Sequence, residues 1–204
     1  DLFELTPYLP MTTDTLMVAF NIVDADEQAT SYTIEWAVDG TPLAVNDIFL
    51  DSGYFARDQV VTVSLTPEDG VDSGQTQTES RTILNAPPMG GSIVIDPTPA
   101  TEGIDDLHCM LDTQPYDADG DPITHVFSWT LNGSPYTGST LNIDHTGDGI
   151  PASATSTGDT WECTYWAEDH ALTSAVLTAS IQISPNVCYG YVVNTHEVAS
   201  CTVN

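Results

Sequence analysis

The chain of 204 residues sets 30 acidic residues against Arg57 and Arg81, has no lysine, and carries a formal net charge of -28. That charge repels phosphate backbones and anionic head groups, which excludes nucleic acid and membrane-surface partners and favours cations and solubility at high salt. Hydrophobic residues at 41% supply a core, while no run reaches the roughly 20 apolar residues of a membrane span.

Strand signals follow one another along the chain. An apolar N-terminal stretch, Leu2 to Leu9, leads to Leu16-Met17-Val18-Ala19-Phe20-Asn21-Ile22, then Tyr32-Thr33-Ile34-Glu35-Trp36-Ala37-Val38 and Val60-Val61-Thr62-Val63-Ser64-Leu65. Asn85-Ala86-Pro87-Pro88-Met89-Gly90-Gly91 comes next, where Pro-Pro and Gly-Gly are expected to stop strand pairing and mark a linker. A long β-branched run, Ser174 to Ile183, precedes a tail that begins at 185. Each run is bounded by Gly, Pro, Asp or Asn, and no amphipathic helix interrupts them, so the expected class is all-β. A start at Asp1 without Met reads as a mature, processed chain or an excised fragment.

The strands repeat. Laying Leu16 on Cys109 matches Leu16-Met17 with Cys109-Met110, Asp24-Ala25-Asp26 with Asp117-Ala118-Asp119, and Trp36-Ala37-Val38-Asp39-Gly40 with Trp129-Thr130-Leu131-Asn132-Gly133 without a gap. Val61 to Gly70 then matches Trp161 to His170 after a net insertion of seven residues, placed around Asp144 to Pro151. Two copies of one unit predict domains at 1–86 and 87–184, with an extension at 185–204.

The second copy carries Cys109, Trp129 and Cys163 in the order of the immunoglobulin pattern. Around them, Asp105-Asp106-Leu107-His108-Cys109, Asp117-Ala118-Asp119-Gly120-Asp121-Pro122, Trp129 to Gly133, Gly158-Asp159-Thr160-Trp161-Glu162-Cys163 and Glu168-Asp169 resemble the Ig-like repeats, akin to PKD and cadherin-like modules, of large bacterial surface and secreted proteins. The resemblance covers 93–183 closely and 5–86 more loosely. It implies two tandem immunoglobulin-like β-sandwiches and a Cys109–Cys163 disulfide between strands B and F, with Trp129 packed on it. Leu16 and Val63 are expected to take the bridge positions of the first copy. Trp161 stands where that fold has its corner tyrosine.

Four cysteines without CxxC or zinc spacing read as two disulfides and an oxidising compartment, extracellular or cell-surface. In the tail, Cys188 and Cys201 are placed to close a small hairpin, either a tied-down strand extension or an element that adds to a neighbouring copy's sheet edge.

The alternate carboxylates Asp117, Asp119 and Asp121 lie between strands B and C, and Glu168 and Asp169 follow strand F. These loops share one end of an immunoglobulin sandwich. Crowded carboxylates repel unless a cation bridges them, so calcium is expected there, stiffening a rod of two sandwiches. Asp24, Asp26, Glu68 and Asp69 form a weaker counterpart in the first copy, where Glu27 and Gln28 replace Gly and Asp. Asp144, His145 and Asp148 are either an acidic turn or a second cation site. Trp166, facing away from Cys163, is a possible stacking surface, and Asn132-Gly133-Ser134 is a formal glycosylation sequon.

No nucleophile–base pair or phosphate loop is present, so no enzymatic activity is expected. The functional expectation is a structural or adhesive module, a piece of a surface protein or a filament subunit whose partners are neighbouring copies. The alternative is a binding module for carbohydrate or protein.

Overall fold

The computed structural model describes residues 2–23, 30–143, 146–193 and 196–201, and from 188 onward the backbone alone. Every regular element among them is a strand or a single 3-10 turn. The chain divides into two compact units, Asp1–Ala86 with Ala118–Gly120, and Pro87–Asp117 with Asp121–Asn204.

In the first unit β1 (Phe3–Thr6), β2 (Leu16–Phe20) and β5 (Phe49–Leu50) form one sheet in the order β1-β2-β5. β3 (Ser31–Val38), β4 (Thr41–Pro42), β6 (Val60–Glu68) and β7 (Gln77–Thr82) form the other, ordered β4-β3-β6-β7. The second unit repeats the plan. One sheet runs β12-β13-β9-β8, from β8 (Met89–Asp96), β9 (Leu107–Tyr116), β12 (Leu141–Asn142) and β13 (Gly147–Ile150). The facing sheet runs β11-β10-β14-β15, from β10 (Thr124–Leu131), β11 (Ser134–Pro135), β14 (Thr160–Glu168) and β15 (Leu177–Gln182). All ladders within the two sandwiches are antiparallel. The chain crosses between sheets after the second strand of each unit, returns once to the first sheet and then crosses again, which is the immunoglobulin-like arrangement.

Alternation builds each core, because successive strand residues face opposite sides of a sheet. Val61, Val63 and Leu65 of β6 are buried, as are Trp161, Cys163, Tyr165 and Ala167 of β14. Trp36 and Trp129 are buried members of the two clusters. Cys109 of β9 and Cys163 of β14 are joined by a disulfide that ties one sheet to the other across a sequence separation of 54. Pro42 and Pro135 lie on the short edge strands β4 and β11, where a missing N–H blunts pairing with another chain.

Three expectations need correction. Leu16 does not occupy the place of Cys109. Leu16 pairs with Leu50 as Leu107 pairs with Ile150, and Val18 pairs with Leu5 as Cys109 pairs with Ile95. Val18 and Val63, both buried, therefore replace the bridge. A slip of two residues keeps every side chain on its face, so hydrophobic alternation cannot detect it. Second, the insertion builds a strand ahead of where it was placed: β12 pairs with β13 through Leu141 and Asn142, giving that sheet a fourth strand with no counterpart among the described residues of the first unit. Third, Gly90-Gly91 does not stop pairing. β8 runs through both glycines at φ 76 and 85, and its register shifts between Ser92 and Ile93. A Cβ on Gly91 would meet the Pro115 nitrogen at 3.3 Å, so glycine lets the two strands approach closely there, and the β-bulge follows at Ser92 and Ile93.

Besides the packing of Val18 and Val63, the first unit has a polar clamp between β1 and β7 that nothing in the sequence announced. Glu79 and Arg81 are two apart on β7 and so share a face. A Glu79 carboxylate oxygen accepts the Leu5 N–H, while Arg81 donates to the Leu5 carbonyl at 3.1 Å and to the other Glu79 oxygen at 2.9 Å. The guanidinium also lies 4.9 Å above the ring centroid of Tyr8. β1 is thereby held to the opposite sheet through both backbone groups of one residue.

Candidate functional site

The acids expected to hold a cation are largely engaged in shaping loops. Asp69 Oδ1 accepts the N–H groups of Val71 and Asp72 at 2.8 and 2.7 Å, and Asp169 Oδ1 takes those of Ala171 and Leu172 in the same way. Each closes the turn after its F-type strand, β6 or β14, by a side-chain mimic of a backbone hydrogen bond. The Asp72 and Val71 amides hold the Asp69 carboxyl below its ordinary value of 3.8. Glu68 Oε1 accepts from Thr33 Oγ1 at 3.0 Å, and Glu168 Oε1 from Trp166 Nε1 at 2.6 Å.

The β9–β10 loop is closed by one of its own acids. Asp121 N–H donates to Asp117 Oδ1 at 3.0 Å, and His170 Nδ1 lies 3.4 Å from Asp121 Oδ2. Asp119 belongs to the compact unit of Asp1–Ala86, where its Oδ2 accepts from Ala86 N at 2.9 Å and Thr12 Oγ1 at 3.0 Å. Asp24, Asp26, Asp144 and His145 lie outside the described residues. Asp148 Oδ1 accepts the adjacent Gly149 N–H at 2.9 Å. Among the described residues, no group of three or more His, Cys, Asp or Glu side chains is arranged to hold a metal ion.

A groove of about 480 Å³ opens on the first unit. Leu2, Phe3, Phe20, Val23, Leu65 and Pro67 give it an apolar lining, and Glu68, Asp69 and Asp72 add negative charge. Leu2 and Val23 are exposed. Composition could not reveal this site, since the lining comes from separate strands and the turn beyond β6.

The aromatic residues of the second unit are mostly core. Trp161 meets Trp129 and Tyr136 edge-on at centroid distances of 6.2 and 4.8 Å. Trp129 Nε1 and Trp161 Nε1 are buried and meet no hydrogen-bond partner among the described residues. The bond usual at a tyrosine corner is therefore missing at Trp161. Trp36 of the first unit instead donates to the Asp47 carbonyl at 2.8 Å. His125 Nδ1 and Tyr165 Oη are 2.8 Å apart. Burial lowers the His125 pKa from its ordinary 6.5 and raises that of Tyr165 from 10.0. Trp166 is half-buried beside its Glu168 partner.

In the tail, β16 (Cys188–Val193) and β17 (His196–Cys201) form a two-stranded antiparallel sheet with Cys188 directly opposite Cys201. Their expected disulfide involves side chains outside those described.

No protein-family profile matches the chain, and no curated protein matches it. Among solved structures it is similar to the chicken interferon gamma receptor alpha chain, at 10% identity and a TM-score of 0.47 over 89% of this chain and 96% of that one. It is also similar to a two-domain fibronectin type III segment from chicken tenascin, at 14% identity and a TM-score of 0.39 over 88% and 97%. The fold itself rests on strand order, pairing and the cross-sheet bridge, and it is a pair of immunoglobulin-like β-sandwiches following one another in the chain.

Proposed function

We propose that the chain is a non-enzymatic structural module of a secreted or surface-displayed protein. The observation that carries the proposal is the Cys109–Cys163 disulfide across the two sheets of the second unit. Such bridges persist in oxidising compartments, where they hold a small sandwich together without a cell's repair machinery. Fractionation of the native cells with alkylation of free thiols tests it. Surface exposure with Cys109 and Cys163 protected from alkylation is expected; a cytosolic pool with both thiols free would overturn it.

The finer part of the proposal is a role in adhesion or in filaments built of neighbouring copies, with calcium as a stabiliser of the second unit. Calcium is supported by the net charge of -28 and by the place of Asp117 and Asp121 on one loop, where the Asp121 N–H meets Asp117 Oδ1. At matched ionic strength, chelation should lower the melting temperature of that unit; an unchanged melt removes calcium from the proposal.

The groove on the first unit favours a second reading, a protein-binding module. Its volume falls within the range of about 300–1,000 Å³ common to ligand sites. Its apolar lining with Glu68, Asp69 and Asp72 suits an extended peptide carrying apolar and basic side chains. Substituting Leu2 and Val23 by Asp should abolish capture of such peptides from a library, while a library that yields no binder to the unchanged protein rejects this reading.

A further inference from the structure

One pair of positions recurs in both units with its chemistry exchanged. In the first unit, Asp39 and Gly40 turn the chain from β3 to β4 with φ 49 and 76. Asp39 Oδ1 accepts Val60 N–H at 2.9 Å and Oδ2 accepts from Gln59 Nε2 at 2.9 Å. Gln59 Oε1 in turn accepts Ala56 N–H at 2.8 Å. In the second unit, Asn132 and Gly133 turn the chain from β10 to β11 with φ 51 and 77. Asn132 Oδ1 accepts Thr160 N–H at 2.9 Å, and Nδ2 donates to Asp159 Oδ1 at 3.0 Å. Asp159 Oδ2 accepts Ser156 N–H at 3.1 Å. The two networks match bond for bond, but acid and amide have changed places.

Each pair thus contains one carboxylate and one amide, which meet acceptor to donor. We infer that Asn132 and Asp159 form a latch on this turn that depends on there being a single carboxylate, and that deamidation of Asn132 is the modification that opens it. The sequence Asn-Gly at an exposed turn suits the chemistry, since Gly133 has no side chain to hinder approach to Asn132. The Gly133 backbone nitrogen bonds to Asn132 Cγ, and its proton leaves with the Nδ2 group as ammonia. Water then opens the cyclic imide to aspartate or isoaspartate. No reactant other than water is needed.

The aspartate product carries an oxygen where Nδ2 stood, and the isoaspartate product reroutes the main chain through Cγ and takes the donor away as well. Two carboxylate oxygens then meet with no proton between them, and like charges this close favour a shared proton or separation. The turn in the first unit has no such conflict at Asp39-Gly40, because Gln59 supplies the donor.

Ageing of the whole protein in mildly alkaline buffer, followed by mass spectrometry of the peptide containing Asn132, reads the modification. Conversion at Asn132 is expected. An intact Asn132 amide under conditions that convert an unfolded control would overturn the modification. The latch is read from the melting of the second unit in N132D and in N132D/D159Q, which rebuilds the Asp39–Gln59 pairing. N132D should melt several degrees below the unchanged protein at neutral pH, with the gap narrowing in acid as a proton is shared. The double variant should recover the loss even where N132D alone fails to fold. A neutral N132D, or a double variant no better than the single one, overturns the latch.

Discussion

Hydrogen-bond satisfaction separates the two core tryptophans, and their substitutions should differ accordingly. Trp36 and Trp129 are equally buried, but only Trp36 Nε1 has an acceptor, the Asp47 carbonyl. Phenylalanine removes similar packing at both sites. At Trp36 it also leaves a carbonyl without its donor, while at Trp129 it removes a buried N–H that had no partner. Trp36→Phe should therefore cost its unit about 1 kcal/mol more than Trp129→Phe costs the other, as measured by denaturant melts of each variant. Equal losses would mean that the Asp47 bond contributes nothing. Arg81 presents a sharper case, because its removal strands the Leu5 carbonyl and leaves Glu79 beside it as an unpaired charge. With the Arg81 and Glu79 side chains only 14% and 30% exposed, Arg81→Ala should destabilise the first unit by about 2 kcal/mol. The same melts would show it. Tryptophan identity was legible in the repeat, but whether an indole N–H finds an acceptor depends on where a distant loop carbonyl falls. The clamp at Arg81 was illegible for the same reason: strand pattern says which residues share a face and nothing about which backbone group lies opposite.

The two sandwiches share strand order but differ in how their sheets are tied, and this sets their relative stability. The bridge across a separation of 54 residues should contribute about 4 kcal/mol by the chain-entropy estimate. Replacing Cys109 and Cys163 with the valines found at Val18 and Val63 tests whether apolar packing alone suffices. The second unit should then lose most of that contribution, seen as a large fall in its melting temperature. Titration distinguishes the units as well. Burial depresses the His125 pKa below its unfolded value of 6.5, so the unfolded chain takes up the proton first. The second unit should be fully stabilised above pH 6.5 and weaken as pH falls through the folded pKa of His125. His125→Gln should flatten that dependence. Asp69 acts in the same direction at lower pH: its contribution is present above 3.8 and lost as pH falls through its depressed folded value. At this scale the sequence was informative. Strands, the Cys109–Cys163 pairing and the repeat followed from alternation and from the immunoglobulin pattern. The two-residue slip at Val18 did not, because a period of two leaves it without a hydrophobic signature. The strand β12 was equally hidden, being only two residues long and built from an insertion rich in turn formers.

At the scale of the whole molecule, charge governs. Thirty acids with two arginines leave almost no internal neutralisation, and self-repulsion acts on both units at once. Many of the acids lie on exposed loops and strand faces, so their repulsion falls off with the Debye length, about 10 Å at 0.1 M salt and 3 Å at 1 M. Melting temperatures of both units should therefore rise with sodium chloride up to molar concentrations. The bonds of Asp69 and Asp169 to backbone amides are local and should persist throughout. This dependence also frames the question of calcium, because any divalent cation screens more strongly than sodium at equal concentration. Comparing the two salts at equal ionic strength removes that difference. A rise in melting temperature common to both units and both salts is screening alone. An increment confined to calcium and to the second unit, abolished by Asp117→Asn with Asp121→Asn, is site binding. Loop acids can be satisfied by nearby backbone N–H groups in place of ions, because amides are at hand in a turn. Asp69 and Asp169 are cases of that kind, and the acidic run read from the sequence could not by itself tell a turn from a ligand set.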